Sequence, residues 1–88
     1  MAVDIDQITV DDVLLRLRKV EGQVRGIVRM IEEGRDCRDV VRQISAASRA
    51  LDQSGFKLLA SGLRDCLRSG TKSPYTADEL EKMFLQLA

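Results

Sequence analysis

Apolar side chains recur every three or four positions along two long stretches of this chain, and that spacing restricts the fold more than any other feature. The first stretch holds Val13, Leu17, Val20, Val24, Ile27, Val28 and Ile31. The second holds Cys37, Val40, Val41, Ile44, Ala47, Leu51, Leu58, Leu59, Leu63 and Cys66. A period near 3.6 residues marks an amphipathic α-helix, not a strand. The spacing predicts helices over about Thr9–Glu33 and Asp36–Ser69, with Gly34 and Gly70 as their stops. Thr9 or Asp11 is the expected cap of the first. Asp36 is the expected cap of the second, with Asp39 three positions on in a capping-box arrangement. A third helix is expected over Ala77–Leu87. Thr76 and Glu79 form its capping box, Pro74 holds the preceding residues out of helix, and Leu80, Met83, Phe84 and Leu87 form its stripe. No strand pattern, internal repeat or low-complexity segment is evident. The fold class is all-α, a three-helix protomer in one domain over residues 1–88, with residues 1–8 expected to be flexible.

An 88-residue chain with two Phe, one Tyr and no Trp has an aliphatic core and little of it. Chains of this size are often marginal alone, and long helices with few aromatic residues usually complete their core with another chain. The two cysteines suggest how. Cys37 and Cys66 are 66 − 37 = 29 positions apart, about eight helical turns, so both thiols project from one face ~43 Å apart. They cannot bond within one straight helix, because a disulfide needs Cα atoms ~5–6 Å apart. A second copy running antiparallel and crossing near Leu51 and Asp52 would set Cys37 of one chain opposite Cys66 of the other. Gly55 lies near that crossing, where it either permits close approach of two backbones or is a tolerated helical glycine.

Two readings of the cysteines are open at this point. They are small buried hydrophobes on an apolar stripe, or they are a reactive pair. In the second reading Cys37, in the first helical turn beside Arg35 and Arg38, is the nucleophile, although Asp36 and Asp39 oppose that activation. Cys66, near the C-terminal end beside Arg64 and Arg68, is then the resolving thiol.

Net charge is zero, but its distribution is uneven. Asp4, Asp6, Asp11 and Asp12 make the first twelve residues acidic, whereas Arg16 to Arg49 carries nine basic residues against five acidic ones. Arg18, Arg25 and Arg29 line one helical face. They form an ordinary solvated surface or a phosphate-neutralising one whose affinity falls steeply with salt. Gly22 and Gly26, one turn apart, clear space for close approach. There is no helix-turn-helix, zinc-finger or aromatic stacking signature. The chain has no histidine, which excludes imidazole ligation, a histidine base and a histidine pH switch. With no phosphate loop and no assisted nucleophile, an enzyme is not expected and no cofactor is implied. No apolar run approaches the ~18 residues of a membrane span. The acidic start lacks a signal-peptide layout, so a cytoplasmic protein with reduced thiols is expected.

The segment RLRKVEGQVRGIVRMIEEGRDC, Arg16 to Cys37, followed by QISAASRAL, Gln43 to Leu51, closely resembles the CsoR/RcnR family of bacterial transcriptional repressors. The likeness covers about Val13 to Cys66. It implies an antiparallel dimer that assembles into a disc-shaped tetramer, and binding to operator double-stranded DNA through basic residues of the first two helices. It also implies release of DNA when an effector occupies a site shared between protomers. Arg16, Arg18, Lys19 and Arg25 match the family's basic motif, and Gln23 falls inside it. Some members carry a basic residue where this chain has Gln53. Cys37 and Cys66 match the first and last ligand cysteines of the copper sensors. Those sensors also carry a histidine four residues before the last cysteine, where this chain has Gly62 beside Ser61, and often a tyrosine where it has Asp36. Nickel and cobalt sensors use several histidines. Formaldehyde-responsive members use an N-terminal proline where this chain has Ala2. The resemblance therefore points to the CstR-like branch, repressors of sulfide-detoxification genes that sense persulfide or polysulfide through the Cys37–Cys66 thiol pair. A Cu(I)-sensing repressor with a two-thiolate site is the alternative.

Overall fold

The computed structural model describes residues 6–88. The chain forms α1 over Gln7–Glu32, α2 over Cys37–Ser69 and α3 over Ala77–Leu87, with a short 3₁₀ turn at Gly70–Lys72 before α3. No strand occurs among the described residues. The all-α expectation and the third helix therefore stand.

The start of α1 differs from expectation. Asp6, not Thr9 or Asp11, is the cap, and its carboxylate accepts from the Thr9 backbone N–H at 2.8 Å and from the Thr9 hydroxyl at 2.9 Å. A threonine three positions inside the helix adds its own hydroxyl to the aspartate cap, so helix starts two residues earlier than the apolar pattern alone implies. Asp6 thus caps α1, and Gln7 and Ile8 lie in its first turn. Met1–Ile5, also expected to be flexible, lie outside the described residues.

The stop of α1 is a Schellman motif. Gly34 takes φ 69°, its N–H donates to the Ile31 carbonyl at 3.1 Å, and the Arg35 N–H reaches back to the Met30 carbonyl at 2.9 Å. Asp36 then caps α2, but not through a capping box with Asp39. Its carboxylate accepts the Arg38 backbone N–H at 2.8 Å and the Arg38 guanidinium at 3.0 and 3.2 Å. Asp39 instead lies 3.7 Å from Arg42. The Asp39 N–H that a box would bring to the Asp36 side chain donates instead to the Asp36 backbone carbonyl at 3.0 Å.

The chain reverses at Gly34 and α2 runs back along α1. The seam consists of Val13, Val20 and Ile27 on α1 and Val40, Ala47, Ser54 and Ser61 on α2, all buried. Each set is spaced by seven, the repeat of helices packed at a shallow angle. This narrows the sequence expectation. Only one edge of each predicted stripe faces inward. Val24, Val28 and Ile31 on α1 and Val41, Ile44, Leu51 and Leu63 on α2 are exposed, each at 48–60%, and Cys37 is exposed with them.

α3 folds back on the C-terminal half of α2. Leu80 is buried, and the Phe84 and Phe56 rings meet at 5.5 Å in a tilted arrangement. The Thr76–Glu79 capping box is present in both directions. Within the chain this helix makes a close approach at Gly55: a Cβ there would lie 2.9 Å from Leu87 Cδ1. Asp65 latches the connection by accepting from Ser73 Oγ at 3.0 Å, and that same oxygen accepts the Tyr75 N–H.

Candidate functional site: a basic groove and two separated thiols

The α1–α2 hairpin has two unlike flanks. On one, Arg16, Lys19 and Gln23 of α1 face Ala50 and Gln53 of α2 across a groove of about 270 Å³ whose remaining wall is Leu15 and Asp12. On the other, Leu17, Val24 and Leu51 line an apolar groove of about 420 Å³. The five expected DNA-contacting residues do not share one surface. At ~100° per residue, Arg16, Lys19 and Gln23 fall within ~60° of one another, while Arg18 and Arg29 point away from the hairpin seam, and Arg25 borders the apolar groove beside Glu21. The structure thus assembles a groove and, behind it, a separate basic ridge.

Two residues at this flank escape a reading of α1 alone. Gln53 joins the groove from α2, and Lys57, one turn later, reaches the Asp12 of its wall. The Lys57 ammonium lies 3.2 Å from Asp12, which also accepts from Arg16 Nε at 3.3 Å. Asp12 therefore ties one cation from each helix to a single carboxylate. Lys57 foremost, and Arg16 after it, hold the Asp12 carboxyl below its ordinary range. The seven-residue spacing could have placed Lys57 on this flank, since it follows Ala50 by one heptad.

The thiols are separate within one chain. Cys37 is the first residue of α2 and is exposed, and Cys66 is half-buried at the start of its last turn. Beside Cys37, Arg38 is bound to Asp36 at 3.0 Å. That contact keeps the Asp36 carboxyl below its usual range and leaves the Arg38 charge largely compensated. No group of three or more His, Cys, Asp or Glu residues converges among the described residues. Position 62 is closed as well. Gly62 is buried, and a Cβ there would meet Leu80 Cδ2 at 3.1 Å and the Tyr75 ring at 3.7 Å. A single chain therefore presents no finished metal site. What it can contribute is one thiol at each end of a stripe whose N-terminal half is uncovered. Thiolates suit Cu(I), so two such chains could supply a two-thiolate site.

No helix among the described residues is long and apolar enough to cross a membrane. No solved structure matches the chain. The copper-sensing transcriptional repressor RicR of Mycobacterium tuberculosis is 53% identical over 57 residues, which are 65% of this chain and 59% of that protein. The copper-sensing transcriptional repressor CsoR of Bacillus subtilis is 40% identical over 63 residues, 72% of this chain and 62% of its own length. The uncharacterized protein YrkD of Bacillus subtilis is 31% identical over 58 residues, 66% of this chain and 92% of its own. The chain thus spans about three fifths of the two copper sensors. The names of RicR and CsoR support copper, the alternative effector, better than reactive sulfur. Residues 9–86 match the family described as metal-sensitive transcriptional repressor, and with nearly the whole chain inside that match, this protein belongs to that family of repressors.

Proposed function

We propose that this protein is a DNA-binding transcriptional repressor whose effector acts on Cys37 of one subunit and Cys66 of the partner subunit. The observation that carries the reading is the placement of its only two thiols at opposite ends of one α2 stripe, with exposed Val41, Ile44 and Leu51 between Cys37 and the point where α3 takes over. An antiparallel second copy would cover that surface and pair the thiols. The basic groove lies on the other flank, and Arg18 and Arg29 lie on the outer side of α1, so these stay available to the phosphates of operator DNA.

The residues at the site favour reactive sulfur as the effector. The chain has no histidine, and Gly62, where the copper sensors resembled by this chain carry one, is packed beneath Leu80. In this reading the Cys37 thiolate takes the sulfane sulfur of a persulfide donor, which leaves as a thiol, and becomes Cys37–S–SH. The Cys66 thiolate of the partner subunit attacks the Cys37 sulfur and expels hydrosulfide, giving a disulfide. The sulfane sulfur is reduced as the two thiols are oxidised. If Cys66 also carries a sulfane sulfur, the same displacement leaves a trisulfide, which spans a wider gap. The crosslink shifts the subunits and misaligns the basic surfaces with DNA. A ~100-fold loss of affinity needs ~2.7 kcal/mol of difference between the two forms. Sulfide-detoxification genes are the matching targets.

Cu(I) held by the same two thiolates is the second reading, and the relatives' names favour it. Both are tested by non-reducing intact-mass spectrometry of reduced protein treated with a persulfide donor or with stoichiometric Cu(I), alongside DNA binding. Covalent dimers that carry zero or more extra sulfurs, release DNA, and vanish in Cys37→Ser and Cys66→Ser support sulfur. Unchanged chain mass with the donor, together with tight copper uptake and DNA release by Cu(I), overturns sulfur in favour of copper.

A further inference from the structure

Asp12 is the one carboxylate in the wall of the basic groove, and it is already occupied. It draws Arg16 from α1 and Lys57 from α2 to within 3.3 and 3.2 Å. Arg16 and Asp12 side chains are each 37% exposed and Lys57 is 47% exposed, so these ion pairs are open to water and exchangeable. Surface ion pairs of this kind contribute little to stability, ~0–1 kcal/mol each. A phosphodiester entering the groove would find Lys19 free among the described ion pairs, two glutamine side chains able to donate from their amides, and two further cations committed to Asp12. A carboxylate that accepts from Arg and Lys together offers them what a phosphate offers.

We propose that Asp12 is an intramolecular competitor for the phosphate backbone, an electrostatic guard that lowers this protein's affinity for DNA by holding Arg16 and Lys57. The proposal rests on the DNA-binding reading above and goes beyond it by assigning Asp12 and Lys57 to the tuning of that surface. A recessed groove suits a rounded sugar–phosphate strand better than a flat base edge, so the guard acts on sequence-independent affinity. Each additional phosphate that the protein neutralises steepens the dependence of log K on log salt by ~0.9. Release of Arg16 and Lys57 therefore lets each groove neutralise up to about two more phosphates.

The experiment is a salt titration of binding to a mixed-sequence DNA duplex by fluorescence anisotropy, with wild type, Asp12→Asn, Lys57→Gln and the double variant. Asp12→Asn is expected to bind about three- to tenfold more tightly at ~0.1 M salt and with a slope steeper by ~1–2 per groove. Lys57→Gln in the Asp12→Asn background is expected to return about half of that steepening. Sedimentation and thermal melting run on the same samples separate a fold or assembly defect from a change in binding. Wild type that shows no salt-dependent DNA binding would overturn the repressor reading itself. Wild type that binds, with Asp12→Asn unchanged in slope or weaker at equal assembly and melting temperature, would overturn the guard alone. A shift in assembly on Asp12→Asn with no change in slope would overturn it too, and would make the groove a subunit contact.

Discussion

At the scale of single residues, two serines occupy places where the seven-residue spacing asks for an apolar side chain. Ser54 is 2% exposed and Ser61 is 3% exposed. Ser54 satisfies its hydroxyl on the Ala50 carbonyl at 3.1 Å, and Ser61 donates across the hairpin to Asp6 at 3.2 Å. Small side chains here let α1 lie close, which is why neither looked like core in the sequence. Ser54→Leu is expected to destabilise by about 1–3 kcal/mol through overpacking, read as a lower denaturation midpoint. Asp6 also carries a pH dependence. Thr9 foremost, with a smaller contribution from Ser61, holds its carboxyl below the ordinary value. Asp12 and Asp36 are held down in the same direction. The unfolded chain therefore takes up protons first as pH falls. Stability from these contacts is complete above the ordinary carboxylate pKa of ~4 and is lost as pH drops through the lower folded values. Thermal melts between about pH 6 and pH 3 should show that fall, and Asp6→Asn should flatten it. Gly62 links residue to function. Gly62→His, which would install the copper sensors' imidazole, must push Leu80 and Tyr75 aside. It is expected to cost about 1–3 kcal/mol, seen first as α3 detaching.

At the scale of elements, the local signals were legible and the lateral ones were not. Gly34, Gly70, Asp36 and the Thr76–Glu79 box each act within one or two turns, so a reading of neighbouring residues finds them. Gly34→Ala is expected to cost ~1 kcal/mol, because φ 69° is strained for any residue with a Cβ, and chemical denaturation measures it. The broad stripes were a different matter. Val40 and Val41 are adjacent in sequence, yet one is buried and the other is 55% exposed. A stripe wide enough to pack on two sides carries no mark of which edge lies inside the chain and which outside it. The cap of α1 was missed for a related reason. Asp6 lies ahead of the apolar pattern, and only the Thr9 hydroxyl and Ser61 from α2 reveal its role. The candidate site was legible in part. Its thiols and α1 cations were read from the sequence, whereas Gln53 and Lys57 depend on how α2 docks.

At the scale of the whole molecule, this chain reads as part of an assembly. Its radius of gyration is 16.5 Å and its extents are 54 × 24 × 17 Å, whereas a compact chain of this length has a radius of ~12 Å. Two long helices side by side enclose only one seam, so the second edge of each stripe stays in water. The core formed by Ile27, Val40 and Ala47, with Met30 against it, is small. The edge of Val24, Val28, Val41, Ile44 and Leu51 is exposed and apolar, the character of an interaction surface. Covering it with a second copy doubles the helical layers and joins two marginal cores. Stability should then depend on protein concentration, because only the assembled form has that burial. The variant Ile44→Asp with Leu51→Asp places two charges on this edge, where Leu51 borders Leu17 and Val20 of α1. Sedimentation at micromolar concentration is expected to show wild type associated and the variant reduced to single chains. The melting temperature of wild type should rise with concentration, and that of the variant should be lower and independent of it. Persulfide treatment should no longer crosslink Cys37 to Cys66 in the variant although both thiols remain, since the antiparallel interface proposed to pair them would be gone. A variant that stays associated and still crosslinks would place the subunit contact on another face and break the link between the apolar edge and the thiol pair.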